Sequence, residues 1–186
     1  MDEINQLVAG SVRQLRQARD LTLEELARLS GVSRAMLSQI ETLKVNPTIA
    51  VLWRISTGLG VHFAELLGQD EPPSVSVMRR REAQYLYSHD RSFRSRPLLA
   101  RVPGHPVELY EIWLAPKAAQ DADAHLEGSR ELLSVLRGRV CLDAGGERIE
   151  LASGDAVLFA ADRPHRYTNP TGHPFLGHSL ILYKSR

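Results

Sequence analysis

The chain has almost no cysteine: Cys141 is the single one in 186 residues. A disulfide within the chain is therefore impossible, which fits a reducing cytosol. Cys141 lies in the strand-like run RVCLD, where a buried apolar filler is the expectation and a redox sensor the alternative. Long apolar runs are missing too. None approaches the roughly 18 residues of a membrane span, and the opening MDEINQ is neither a signal peptide nor basic. A cytoplasmic protein with no membrane partner is expected. There is also little excess charge. The formal net charge is +1, so no global basic signal points to nucleic acid. A hydrophobic content of 43% over this length allows one or two globular domains.

What is present begins with Thr22 to Lys44, TLEELARLSGVSRAMLSQIETLK. Thr22 followed three residues later by Glu25 is a capping box. Leu23, Leu26 and Ala27 then share one helical face, and Ala27 is small enough for another helix to approach. Gly31 can end this helix in the left-handed conformation. Val32 can plug the turn, and Ser33 can cap a second helix. On that helix Leu37 and Ile40 face inward, leaving Arg34, Ala35, Ser38 and Gln39 outside with Met36 alongside. This is the helix-turn-helix pattern, whose second helix enters the DNA major groove. Arg34 suits guanine and Gln39 suits adenine. Thr22, Ser33, Thr42 and Lys44 complete the expected DNA-binding set, the last three placed for phosphates. An ordinary helical hairpin with a polar outer face is the alternative.

The flanks fit. Ile4, Leu7, Val8, Val12 and Leu15 predict a preceding helix. Thr48 to Leu59 predicts a fourth, with Ile49, Leu52, Trp53 and Ile55 apolar, and Val61 to Leu67 a short fifth. Over residues 1–67 the run LRQARDLTLEELARLSGVSRAMLSQIETLKVNPTIAVLWRISTGLGV resembles the Cro/repressor-like (XRE) DNA-binding domain, an all-α five-helix, lambda-repressor-like fold. By that resemblance Arg16 pairs with Glu41. Three positions depart from the family: Leu43 and Asp20 stand where Gly is usual, and Leu23 where a phosphate-binding Gln is common. The helical part balances seven Lys/Arg against seven Asp/Glu, so non-specific affinity for DNA should be modest. One reading helix with two or three base contacts, each worth about 1–3 kcal/mol, discriminates weakly. Two copies on a palindromic operator roughly double that, so a homodimer is expected.

Residues 68–104 read as a linker, QDEPPSVSV, and leading strands. They carry seven arginines (Arg79, Arg80, Arg81, Arg91, Arg94, Arg96, Arg101) against four acids. Charge guarding a strand edge is the preferred reading; contact with DNA phosphates or an anionic ligand is the other.

From residue 105 to 186 the period changes to two. VELYEIWLA, ELLSVLRG, RVCLD, ERIELA, DAVLFA, HRYTN and FLGHSLILY are short strands separated by Gly- and Asn-rich turns, which predicts an all-β sandwich or barrel. Two segments resemble the cupin family. In the first, His125, Glu131 and Gly138 keep the family's spacing, and Glu127 replaces its second His. In the second, Gly154, His165 and Asn169 match, while Ala160 and Asp162 replace the usual Pro and Gly. The resemblance implies a cupin jelly-roll barrel. His125, Glu127 and Glu131 have the same strand parity, so they can face one side, though Gly128 can break the strand. Two His and a carboxylate can hold one divalent metal (Fe, Mn, Ni or Zn). The metal set is then His125, Glu131 and His165, with Glu127 as a fourth candidate; the same residues can instead line an organic-ligand pocket. Tyr110, Trp113, Phe159 and Tyr167 are read as barrel core rather than pocket wall.

Together these resemblances imply a sequence-specific DNA-binding transcriptional regulator, a repressor by default. Its barrel senses a small-molecule effector, and it is not an enzyme. The main rival is a non-haem iron oxidase or oxygenase carrying the helical domain as a scaffold. A barrel that serves only for dimerisation is the third reading.

Overall fold

The computed structural model describes residues 3–67, 75, 77–99 and 106–184. The linker expected at Gln69–Val77 lies almost wholly outside the described residues, as do Arg101 and His105. The chain divides into two compact units, Met1–Glu71 and Pro72–Arg186.

The first unit holds α1 (Glu3–Gln17), α2 (Leu23–Ser30), α3 (Arg34–Glu41) and α4 (Ile49–Leu59). The expected fifth helix is instead a 3-10 turn over Phe63–Leu67. Five residues cannot close a second α-turn, and Glu65 turns back to cap the His62 N–H at 2.9 Å. Val8, Val12, Leu15, Leu26, Leu37, Ile40, Leu52 and Ile55 form the core. Leu7, expected among them, is 48% exposed. A close helix approach is also made at Gly58. A Cβ on Gly58 of α4 would lie 2.7 Å from Ser30 of α2, so only Gly lets these helices meet.

In the second unit a 3-10 turn at Arg80–Glu82 leads into ten strands: β1 (Leu86–Tyr87), β2 (Phe93–Leu99), β3 (Val107–Leu114), β4 (Ala119–Ala122), β5 (Arg130–Arg137), β6 (Arg139–Ala144), β7 (Glu147–Ala152), β8 (Ala156–Ala160), β9 (His165–Thr168) and β10 (Phe175–Leu182). They form a six-stranded sheet in the order β1-β2-β3-β10-β5-β8 and a four-stranded sheet in the order β4-β9-β6-β7. The leading strands β1 and β2 thus extend the same sheet as the barrel strands. Every pairing is antiparallel. Alternate residues point inward: Leu133 and Val135 on β5, Tyr110 and Ile112 on β3, and Phe175 and Ile181 on β10 are buried. Cys141 is buried and free. Trp113, read as core, sits on the outer face of β3 under the Arg94 guanidinium, 4.7 Å from its ring centre. No helix among the described residues is long and apolar enough to cross a membrane.

Candidate functional site

The helical unit presents α3. Thr22 caps α2 with a reciprocal capping box: its hydroxyl accepts from Glu25 N–H, and both its own N–H and O–H donate to the Glu25 carboxylate at 2.7 Å. Both donors of Thr22 are thus engaged within the protein. Gly31 ends α2 in the left-handed region, φ 66°, and Ser33 caps α3 by accepting from Met36 N–H at 3.2 Å. The cap uses only the acceptor side of Ser33, so its O–H remains available to a phosphate. Thr42 donates to the Ser38 carbonyl at 2.7 Å.

Leu37 and Ile40 are buried, and this sets the rotation of α3. Arg34, Ala35 and Gln39 are then exposed, with Met36 and Ser38 half-exposed beside them and Thr42 and Lys44 at the end. Arg34 forms an ion pair with Glu24 of α2, both side chains being more than 60% exposed. Arg16 grips Glu41 with two hydrogen bonds of 2.7 and 2.9 Å and also donates to the Leu21 carbonyl. This clamp ties α1 to the C-terminal end of α3. The two Gly replacements both show positive φ, 53° at Asp20 and 59° at Leu43.

In the barrel, Glu131 faces inward from β5, His165 comes from β9 of the other sheet, and His125 comes from the loop between β4 and β5. All three are buried. One ligand atom from each lies within 4.8 Å of the others. The Glu131 Oε2 atom is 3.3 Å from His125 Nε2 and 3.6 Å from His165 Nε2. Glu131 Oε1 accepts from Tyr167 O–H at 2.6 Å and Ser179 O–H at 2.7 Å. Neither partner was legible as such; both are inward-facing strand positions whose meaning depends on what stands opposite.

Glu127 does not join the group. The strand parity that placed it there fails because Gly128, φ 77°, turns the chain, and Glu127 is exposed. Asp162, which departs from the cupin pattern, closes this turn by accepting from Gly128 N–H at 3.0 Å. The backbone N–H of His125 donates to the Ala161 carbonyl at 2.9 Å and fixes the loop that carries the imidazole.

The protonation states follow from the contacts. His165 Nδ1 lies 3.0 Å from the Arg163 carbonyl. A carbonyl only accepts, so we assign the proton of the neutral ring to Nδ1. Burial lowers the His165 pKa, against the upward pull of Glu131. Burial alone would raise Glu131, but the His125 hydrogen bond, both imidazoles and Tyr167 outweigh it and hold the carboxyl down at about 2. Tyr167 is raised far above its ordinary range by burial first and by Glu131 second, so it stays a donor. The His165 Nε2 lone pair therefore faces a carboxylate and has no hydrogen-bond partner among the described residues. Two electron-rich atoms this close in a buried site are relieved by a cation between them, a metal or a proton. Two imidazoles, one carboxylate and hydrogen bonds behind the ligands form a donor set compatible with a metal.

Three further features were not anticipated. Asn169 of the second cupin segment is structural: its amide donates to the carbonyls of Leu114, Ala115 and His173. A second buried carboxylate, Glu108, accepts from Tyr110 O–H at 2.7 Å and Tyr183 O–H at 3.0 Å. A cleft of about 400 Å³ runs beside the β6–β7 hairpin and is lined by Asp121, Asp143, Arg148, Pro164, His165 and Arg166. Its arginines are already paired, Arg166 with Asp121 and Arg148 with Asp143.

Comparison with known proteins agrees with both halves. Residues 12–66 match the Helix-turn-helix family and residues 111–177 the Cupin domain family. The chain is 33% identical to the HTH-type transcriptional regulator SutR of Escherichia coli K12, over 98% of each chain. It is 24% identical over 89 residues to the immunity repressor protein of Bacillus phage phi105, covering 48% of this chain and 58% of the repressor. Among solved structures, an HTH_3 family transcriptional regulator from Vibrio cholerae superposes with a TM-score of 0.82 at 28% identity, over 98% of each chain.

Proposed function

The chain belongs to the DNA-binding helix-turn-helix transcriptional regulators that carry a cupin domain, and from that premise we propose a repressor whose barrel takes up a divalent metal and a small effector. α3 reads the operator through Arg34 and Gln39, with Ala35, Met36 and Ser38 on the same face and Ser33, Thr42 and Lys44 on phosphates. The protein acts as a homodimer on a palindrome. His125, Glu131 and His165 hold Fe, Mn, Ni or Zn, which supplies a Lewis-acidic point for an anionic or carbonyl oxygen of the effector. Tyr167 and Ser179 fix the Glu131 carboxylate, and Arg163 fixes the His165 ring. A ligand there changes DNA binding by no more than its differential affinity for the two DNA-binding states.

The observation that carries the barrel reading is the inward lone pair of His165 Nε2 opposite the Glu131 carboxylate. The test is equilibrium dialysis of the full chain against each of the four metals, with His165→Ala in parallel. About one metal per chain, lost in His165→Ala while the folded far-UV spectrum is kept, supports it. No retention of any metal by the wild-type chain overturns it. The same two-His, one-carboxylate set also serves non-haem iron oxidation. Steady oxygen consumption by the Fe(II)-loaded protein over a panel of small metabolites would favour the enzyme reading.

A further inference from the structure

The start of the barrel unit carries a basic surface that neither the reading helix nor the metal cluster uses. Residues 77–99 contain six arginines against two acids. Two of the arginines are committed: Arg81 pairs with Glu82, and Arg96 with Glu111. Arg79, Arg80, Arg91 and Arg94 have no carboxylate within ion-pair distance among the described residues. The remaining acid, Asp90, accepts hydrogen bonds from Ser88 and Ser92 in the β1–β2 turn. Arg80 is near enough to Glu111 for its charge to lower that carboxyl slightly, after Arg96.

Two of these arginines are held in place. The Arg94 guanidinium stacks on Trp113 and on Tyr85, 4.7 and 5.2 Å from the ring centres, and Arg91 lies 5.2 Å over Tyr87. A guanidinium laid flat on a ring keeps its N–H edge free for an anion and has already lost rotamer freedom. A charge that only guards a strand edge needs no such ordering. The rings are covered by guanidinium, so they do not offer the open platform on which bases stack. The chemistry left is phosphate neutralisation.

We propose that Arg79, Arg80, Arg91 and Arg94 form a second DNA contact, which neutralises backbone phosphates flanking those touched by the helical unit. The proposal rests on the DNA-binding function stated above. It answers a deficit: the first 67 residues carry equal numbers of basic and acidic side chains, whereas backbone contacts supply a large share of affinity in protein–DNA binding. The covalent chain permits it. Eleven residues lie between Leu67 and Arg79, and the twelve extended steps from one to the other reach at most about 43 Å, or about 12 base pairs of duplex.

The experiment measures affinity for a long duplex selected by the full chain, from about 50 to 200 mM salt. The wild type is compared with two quadruple variants, Arg79→Ala/Arg80→Ala/Arg91→Ala/Arg94→Ala and the same four positions changed to Lys. Each lost phosphate contact lowers the slope of log affinity against log salt by about 0.9, so the Ala variant should lose up to about 3–4 units per bound chain, and about twice that for the proposed homodimer. Its ranking of operator sequences should stay unchanged, since phosphates carry no base information. The Lys variant should keep most of the slope. Arg79→Ala/Arg80→Ala, confined to the exposed turn, should lose up to about 2 units per bound chain and covers the case in which the quadruple Ala variant fails to fold. Wild-type slopes in both Ala variants overturn the proposal and leave the reading helix intact. If the wild-type chain selects no DNA at all, the premise fails and the proposal falls with it.

Discussion

At the residue scale the most consequential contact is the ion pair between Arg34 and Glu24. Both side chains are largely exposed, so the pair is worth about 0–1 kcal/mol. A bidentate guanine contact is worth about 1–3 kcal/mol. If Arg34 contacts guanine as proposed, DNA outcompetes Glu24, which then acts as a weak competitor. Glu24→Gln should tighten operator binding by up to about fivefold, read by fluorescence anisotropy at low salt; weaker binding would mean that Glu24 orients Arg34 rather than competing for it. Leu43 gives a second residue-level outcome. Its φ of 59° costs about 1–2 kcal/mol in a residue with a Cβ. A Gly there loses about 0.5–1 kcal/mol to backbone entropy. Leu43→Gly should therefore stabilise the chain by up to about 1 kcal/mol in urea unfolding, and a loss of stability would show that the Leu43 side chain contributes more than its 36% exposure suggests.

At the scale of elements, sequence and structure part in instructive places. The capping box, Gly31, Ser33 and the buried pair Leu37–Ile40 were all legible because each is a local rule acting within one helical turn. The Arg16–Glu41 clamp spans 25 residues and came only through resemblance. The barrel strands from Val107 onward were legible from alternation, but β4 was not: Ala119–Ala122 is polar and half-exposed and carries no period-two signal. Of the metal set, His125, Glu131 and His165 converge. Glu127 was misplaced because parity holds only while the chain remains a strand. Tyr167 and Ser179 were invisible as ligand supports, since cross-sheet partners leave no trace in spacing.

The β2–β3 pair gives a pH prediction at this scale. Arg96 hydrogen-bonds Glu111 on the neighbouring strand at 2.8 and 3.1 Å, and chiefly through this contact lowers the Glu111 pKa from 4.5. A carboxylate with a depressed folded pKa adds stability that is fully present above 4.5 and is lost as pH falls through the folded value. Glu111→Gln should therefore lower the thermal midpoint at pH 7 and narrow its gap to the wild type at about pH 3. A gap that does not depend on pH would mean that the pair acts through packing alone.

At the scale of the whole molecule, the chain is two compact units, and the proposed function assigns output to the helical unit and input to the barrel. The helical unit is charge-balanced and presents a single candidate reading helix, which is why the proposed function includes duplication on DNA and the further proposal adds backbone contacts from the arginines of residues 79–94. The barrel contributes a buried two-His, one-carboxylate site drawn from both sheets and the β4–β5 loop. The most direct test is selection of duplexes from a random pool by the full-length chain. The account predicts enrichment of a palindrome whose half-sites lie about 10 base pairs apart, or a multiple of that. Arg34→Ala should relax the preference at one position of each half-site. Recovery of unrelated sequences, or an Arg34→Ala variant that selects the same palindrome with unchanged preference at every position, would contradict it.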